Sequence, residues 1–213
     1  MSKLFIFDLD GTLIDSRKDI ALGVNLTLAE LGFPAREPDA VYGFIGGGVH
    51  NLLRMSLPPG QESLVDSAVE VFWDRYREHL LDSTRAYAGV AGMLDELATR
   101  GMLAVATNKP VVHARLALEG LGLSSRFVSI QGWRLGLEVK PDPAILRLAM
   151  EAAGAAPGDC VMVGDGMSDI LAARAAGLKS CGVGYGYGTK EKLMAGSPDY
   201  FADTVEDIIR LLA

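Results

Sequence analysis

Asp8 and Asp10 stand one residue apart, directly after the apolar run Leu4-Phe5-Ile6-Phe7, and Gly11-Thr12 follow them. Four apolar residues ended by acids and a glycine predict a buried parallel strand that stops at its carboxyl end. Open α/β sheets place their ligands at that end. Two carboxylates so close repel each other and call for a cation or a shared proton. The stretch also reads as a strand followed by an acidic turn, since Asp and Gly are ordinary turn formers. Further polar groups recur at similar places: Thr107-Asn108 followed by Lys109, Lys140 before Pro141, and Gly164-Asp165-Gly166 with Ser168 and Asp169 just beyond. Each alone has a plain structural reading. Ser168 can cap a helix, Asp169 can favour a helix dipole, and a lone lysine such as Lys140 is ordinarily a solvated surface residue. What those readings leave open is the convergence on one sheet edge. Phosphoryl transfer needs such a set, because its catalysis is mostly positioning and charge neutralisation. Carboxylates can hold a divalent metal, a lysine adds a point charge, and one Asp can attack while another handles the leaving group's proton.

The elements that must position these groups alternate. Leu4–Phe7, Leu103–Thr107, Phe127–Gln131, Cys160–Gly164 and Ser180–Val183 read as strands. Between them, 91–100 (ended by Gly101), 110–119, 143–153 and 168–176 (capped by Gly177) read as helices, and 205–212 as a terminal one. Strands alternating with helices predict a doubly wound parallel sheet with all strand carboxyl ends on one edge. From residue 15 to about 82 the pattern is helical throughout. Ile20, Val24, Leu28 and Leu31 form one stripe, 34–38 is a turn region, 40–45 and 49–53 are short helices, and a longer helix carries Val69, Tyr76 and Leu80. The expected fold is α/β: a Rossmann-like parallel-sheet core from residues 1–14 and 83–213, with 15–82 inserted as a helical cap domain.

Bulk properties narrow the class. The chain has 213 residues, 49% of them hydrophobic, enough for a sizeable core. A net charge of −7 argues against nonspecific nucleic-acid binding, which relies on clustered Lys and Arg. The two cysteines, Cys160 and Cys181, lack metal-ligand spacing and are expected to be buried free thiols in a reducing, cytoplasmic setting. No apolar run approaches the ~18 residues of a membrane span, and an acidic pair by residue 8 does not suit a signal peptide.

In order along the chain, Phe7-Asp8-Leu9-Asp10-Gly11-Thr12, Thr107-Asn108, Lys140-Pro141 and Gly164-Asp165-Gly166-Met167-Ser168-Asp169 resemble the four motifs of the haloacid dehalogenase superfamily. The helical segment resembles that family's four-helix cap. Within the superfamily the chain is most similar to bacterial phosphoglycolate phosphatases, on 10–16, on Phe44-Ile45-Gly46-Gly47-Gly48 and on Gly184-Tyr185-Gly186-Tyr187-Gly188. The resemblance implies that Asp8 is the nucleophile, forming an aspartyl-phosphate, and Asp10 the general acid and then base. It implies that Thr107 and Asn108 bind phosphoryl oxygens and that Lys140 neutralises nucleophile and phosphate. It further implies Mg²⁺ held by Asp8, the backbone carbonyl of Asp10 and Asp165, with Asp169 in support through hydrogen bonds or water.

The same family regularities set Asp10 against dehalogenation and Thr12 against sugar phosphomutation. The implied activity is Mg²⁺-dependent hydrolysis of a small phosphorylated metabolite, with 2-phosphoglycolate leading. Pyrophosphate, a sugar phosphate, a nucleotide monophosphate, phosphomutase chemistry and a non-catalytic ligand-binding role remain as alternatives. A monomer or homodimer is expected, with neither nucleic acid nor membrane as partner. In the cap, the glycines at 46 to 48 are expected to allow close backbone approach. Gly46, Gly47 and Arg54 are candidate substrate contacts, against the plain reading of a surface loop and a solvated arginine.

Overall fold

The structure, a computed structural model, describes residues 3–212. The first strand, β1 (Lys3–Phe7), is buried from its second residue on, as a continuous apolar run in a parallel sheet should be. After the two-residue β2 (Ile14–Asp15), four helices follow: α1 (Arg17–Glu30), α2 (Pro38–Tyr42), α3 (Val49–Ser56) and α4 (Val65–Glu78). The chain returns through β3 (Arg85–Ala86), which pairs with β2. Strands and helices then alternate: α5 (Val90–Ala98), β4 (Gly101–Pro110), α6 (Val111–Gly120), β5 (Ser129–Trp133), α7 (Ala144–Ala153), β6 (Cys160–Gly164), α8 (Met167–Ala176), β7 (Lys179–Val183), α9 (Lys190–Ala195), β8 (Tyr200–Ala202) and α10 (Val205–Leu212).

Among the described residues, six strands form one parallel sheet in the order β5-β4-β1-β6-β7-β8. The expected Rossmann-like α/β class is therefore the observed one. β1 lies in the middle, with Phe7 opposite both Val105 of β4 and Val163 of β6. The chain turns outward from β1 in both directions, and an open α/β sheet forms its ligand crevice at such a switch point. Leu4, Ile6, Ala104, Leu146 and Met162 are among the fully buried side chains beneath that edge.

Contact clustering separates two compact units. One comprises the chain up to Asp15 and from Ala86 onward, and the other Ser16–Arg85. The second unit is helical. Gly23 in α1 lets α4 approach closely, since a Cβ there would sit 3.0 Å from the Phe72 ring. The Phe72 and Tyr76 rings stack with centroids 5.2 Å apart. Asp19, in the first turn of α1, is buried and accepts hydrogen bonds from Ser83 N, Thr84 N and the Thr84 hydroxyl, the shortest at 2.7 Å.

Several element boundaries differ from the sequence reading. Gly101 opens β4 instead of ending α5, because α5 stops at Ala98 and a Cβ at Gly101 would collide with the Lys3 carbonyl of the neighbouring strand. Pro38 begins α2, where its missing N–H is harmless, and Gly43 ends that helix short of residue 45. Pro110 closes β4 in an extended conformation (ψ 137°), and α6 starts after it. The β5 strand lies two residues beyond its expected place, and α9 and β8 went unread. Cys160 and Cys181 are buried free thiols, and burial pushes their pKa values up to about 11 and about 12. Among the described residues no helix is long and apolar enough to cross a membrane.

Candidate active site

Three adjacent strands carry their polar residues at the same edge: Asp8 and Asp165 just past the last paired positions of β1 and β6, and Thr107 to Lys109 within the irregular end of β4. Asp8 follows β1 and is held there by Asp8 N–H to Val163 O, 2.9 Å. Its Oδ1 accepts from Leu9 N at 2.7 Å and from Lys140 Nζ at 2.9 Å. Lys140 is buried, against the ordinary expectation for a lysine. Its ammonium has three donors, and all are used: on Asp8, on Asp169 Oδ1 at 2.6 Å and on the Ala106 carbonyl at 2.8 Å. Burial opposes that charge, but the Asp169 and Asp8 carboxylates outweigh it and hold the Lys140 pKa above its ordinary value.

Asp165, after β6, sits in a cradle the sequence does not advertise. The Thr12 hydroxyl donates to its Oδ1 at 3.2 Å, and Tyr187 N and Gly188 N donate to its Oδ2 at 2.7 and 3.3 Å. The Gly184–Gly188 loop can close this way only because Gly186 lacks a Cβ, which would overlap both the Asp165 side chain and the Gly11 carbonyl. Tyr185 anchors the loop by donating its hydroxyl to Thr12 O at 2.9 Å. Asp169 spends its second oxygen on Gly166 N, 3.0 Å away, at the start of α8. Gly166, not Ser168, is the residue that caps this helix.

Oxygens of Asp8, Asp165 and Asp169 all lie within 4.8 Å of one another. Burial and neighbouring carboxylates make ionisation of Asp8 and Asp165 unfavourable. The Asp8 carboxyl is raised to about 6, chiefly by burial, with Lys140 opposing and Asp169 reinforcing the shift. Asp165 is raised to about 7 by burial and then by the charges of Asp8 and Asp169. A compact all-oxygen donor set with too few cations for its carboxylates fits a hard divalent ion such as Mg²⁺. Asp169, expected to act in support, is in that cluster, but both its oxygens are already bonded to Lys140 and Gly166.

The Asp10 carboxylate stands apart from the cluster. Lys109 Nζ lies 3.0 Å from each of its oxygens, and both side chains are largely buried. Thr107 is buried, and its hydroxyl accepts from Lys109 N at 3.2 Å, which leaves the hydroxyl able to donate. Asn108 was expected to bind a phosphoryl oxygen. Its amide grips the backbone of Lys140, accepting from Lys140 N at 2.7 Å and donating to Lys140 O at 3.2 Å.

Lys109 follows Thr107-Asn108 at the end of the apolar run Leu103–Ala106, and a lysine buried there needs a carboxylate. Gly46, Gly47 and Arg54 belong to the helical unit. A Cβ at Gly46 would meet no protein atom within 4 Å, and its φ of +111° favours glycine. At Gly47 a Cβ would press on Asn51 at 2.9 Å, and Arg54 lies exposed on α3.

Fold and site together define a class: a parallel α/β core with three clustered carboxylates at its topological switch point, one buried lysine bonded to two of them and a second bonded to Asp10. The family model for haloacid dehalogenase-like hydrolases matches residues 5–183. The chain belongs to that family. It is 37% identical to the phosphoglycolate phosphatase of Aquifex aeolicus over 99% of this chain and 96% of that one. It is 34% identical to the phosphoglycolate phosphatase of Colwellia psychrerythraea over 97% and 95%. Among solved structures, a predicted phosphoglycolate phosphatase from Haemophilus somnus superposes with a TM-score of 0.88 at 31% identity, over 100% of this chain and 98% of that one.

Proposed function

We propose that this protein is a Mg²⁺-dependent phosphomonoester hydrolase that works through an aspartyl-phosphate on Asp8, with 2-phosphoglycolate as substrate. The observation that carries the reaction is the sorting of two carboxylates onto two lysines, Asp8 on Lys140 and Asp10 on Lys109. A nucleophile and an acid–base group must differ in environment to do different work. Asp8 receives both of its hydrogen bonds on Oδ1, and Oδ2 is the oxygen for in-line attack on phosphorus. Asp10 gives a proton to the departing oxygen, then takes one from the water that hydrolyses the acyl phosphate. Lys140 neutralises Asp8 and the incoming phosphoryl group. Thr107 donates its hydroxyl to a phosphoryl oxygen, and Asn108 acts through Lys140 by fixing its peptide. Mg²⁺, held by Asp8, Asp165 and the Asp10 carbonyl, would supply the charge that draws phosphoryl oxygens toward a nucleophile of like sign.

The substrate reading rests on the whole-chain likeness to phosphoglycolate phosphatases. Residues 15–82 act in this reading as the cap that selects the leaving group, with Arg54 and the 46–48 loop its candidate contacts. Wild type and Asp8→Asn are compared on 2-phosphoglycolate and on a panel of sugar, nucleoside and inorganic phosphates, with and without Mg²⁺. The expected result is Mg²⁺-dependent turnover with 2-phosphoglycolate first by kcat/KM, and a loss of at least ~10⁴-fold in the variant. Retained turnover by a folded Asp8→Asn protein would refute the nucleophile, and another preferred ester would refute the substrate.

A further inference from the structure

Lys109 has no part in the family motifs, yet the fold commits a great deal to it. It is only 6% exposed, and a buried ammonium is costly unless a carboxylate answers it. Its Nζ is equidistant from the two Asp10 oxygens at 3.0 Å. The backbone behind it is pinned. The β4–β5 register shifts between Thr107 and Pro110, Lys109 N–H is tied to the Thr107 hydroxyl, and Gly132 of β5 packs against the Lys109 carbonyl so closely that a Cβ would come within 2.6 Å. The other buried lysine, Lys140, bonds Asp8 and Asp169. Asp10 thus stays out of the Asp8–Asp165–Asp169 cluster with a lysine of its own.

We propose that Lys109 is a positioning residue for the leaving-group step: it holds the Asp10 carboxyl where the departing oxygen must receive its proton, clear of the carboxylate cluster. This rests on the reading above, in which Asp10 makes that transfer. In the step, the Asp8 oxygen forms its bond to phosphorus as the bond to the ester oxygen breaks, and the Asp10 proton goes to that oxygen. A group needed only there matters in proportion to how badly the leaving oxygen needs a proton. p-Nitrophenolate departs without one, and an alkoxide does not.

The ratio kcat/KM reports the steps up to phosphoryl transfer. Lys109→Met, Lys109→Arg and Asp10→Asn are therefore compared on p-nitrophenyl phosphate, ethyl phosphate and 2-phosphoglycolate, with thermal unfolding measured alongside. For Lys109→Met the expected kcat/KM stays within about threefold of wild type on the aryl ester and falls about 10²-fold on both alkyl esters, at the lower end of general-acid effects. Lys109→Arg recovers part of the alkyl loss. Equal losses on all three esters overturn the proposal, as does a loss confined to 2-phosphoglycolate, which would make Lys109 a carboxylate contact. If Asp10→Asn discriminates between aryl and alkyl esters and Lys109→Met does not, only this proposal falls. If Asp10→Asn does not discriminate, the acid–base reading of Asp10 falls and takes this one with it.

Discussion

Asp165 and Asp8 hold protons at pH values where an unfolded chain would have released them. Their carboxyls are raised to about 7 and about 6, above the ordinary 3.8. Without a divalent ion, the folded state therefore binds more protons than the unfolded state between about pH 4 and 7, and stability falls as pH rises through that window. Each pKa unit corresponds to about 1.4 kcal/mol, so the coupled pair amounts to a few kcal/mol. Chelated protein should unfold at lower temperature at pH 8 than at pH 5, and saturating Mg²⁺ should raise the midpoint more at pH 8. An equal Mg²⁺ shift at both pH values, by calorimetry, would contradict this account of the cluster. At this scale, what the sequence disclosed depended on which part of a residue acts. Asp8, Asp10 and Asp165 act through side chains just past strand ends, and Lys140 through a side chain in the β5–α7 loop; their types announced them. The Asp165 cradle acts through the N–H groups of Tyr187 and Gly188, which every residue but proline has. Asn108 was legible as a polar group at the site, but the hydrogen bonds of its carboxamide to the Lys140 backbone leave no mark in the sequence.

At the scale of elements, periodicity found the long helices and the buried strands and misplaced short or shared boundaries. α1, α4 and α8 repeat their apolar positions over several turns, and β1 and β6 are uninterrupted apolar runs. β8 has three residues and α9 six, too few to show a period. Gly101 and Pro110 each carry a helix signal, but strand pairing overrides it because β4 must reach along β1 and β5. Close packing of α1 on α4 was equally silent, since Gly23 is read locally as a weak helix former. Its role is to admit the Phe72 ring and the Tyr76 Cβ, which a Cβ would meet at 3.0 and 3.2 Å. Gly23→Val should overpack this junction and destabilise the helical unit by about 1–3 kcal/mol, read as a lowered denaturant midpoint. An unchanged midpoint would show that α4 can move aside freely.

At the scale of the molecule, the chain builds a helical unit between its first strand and the rest of its sheet, and Asp19 fastens the end of that unit to its beginning. With Asp19→Ala, Ser83 N, Thr84 N and the Thr84 hydroxyl lose their acceptor. Leaving the buried Thr84 donors unpaired costs about 1–3 kcal/mol each, so amide exchange at residue 84 should accelerate about tenfold or more. Unaltered exchange there would show that Asp19 does not hold the segment. The central place of β1 has a further consequence, in time. Leu4 pairs with Met102 on one side and Cys160 on the other, so the middle strand of the sheet is made long before either neighbour. At ~5–20 residues per second, its two hydrogen-bonding edges wait roughly 5–20 s for β4 and half as long again for β6. The sheet must therefore grow outward from a strand that has been waiting, β4 and β5 on one side before β6, β7 and β8 on the other, and helices α1 to α4 are synthesised during that delay.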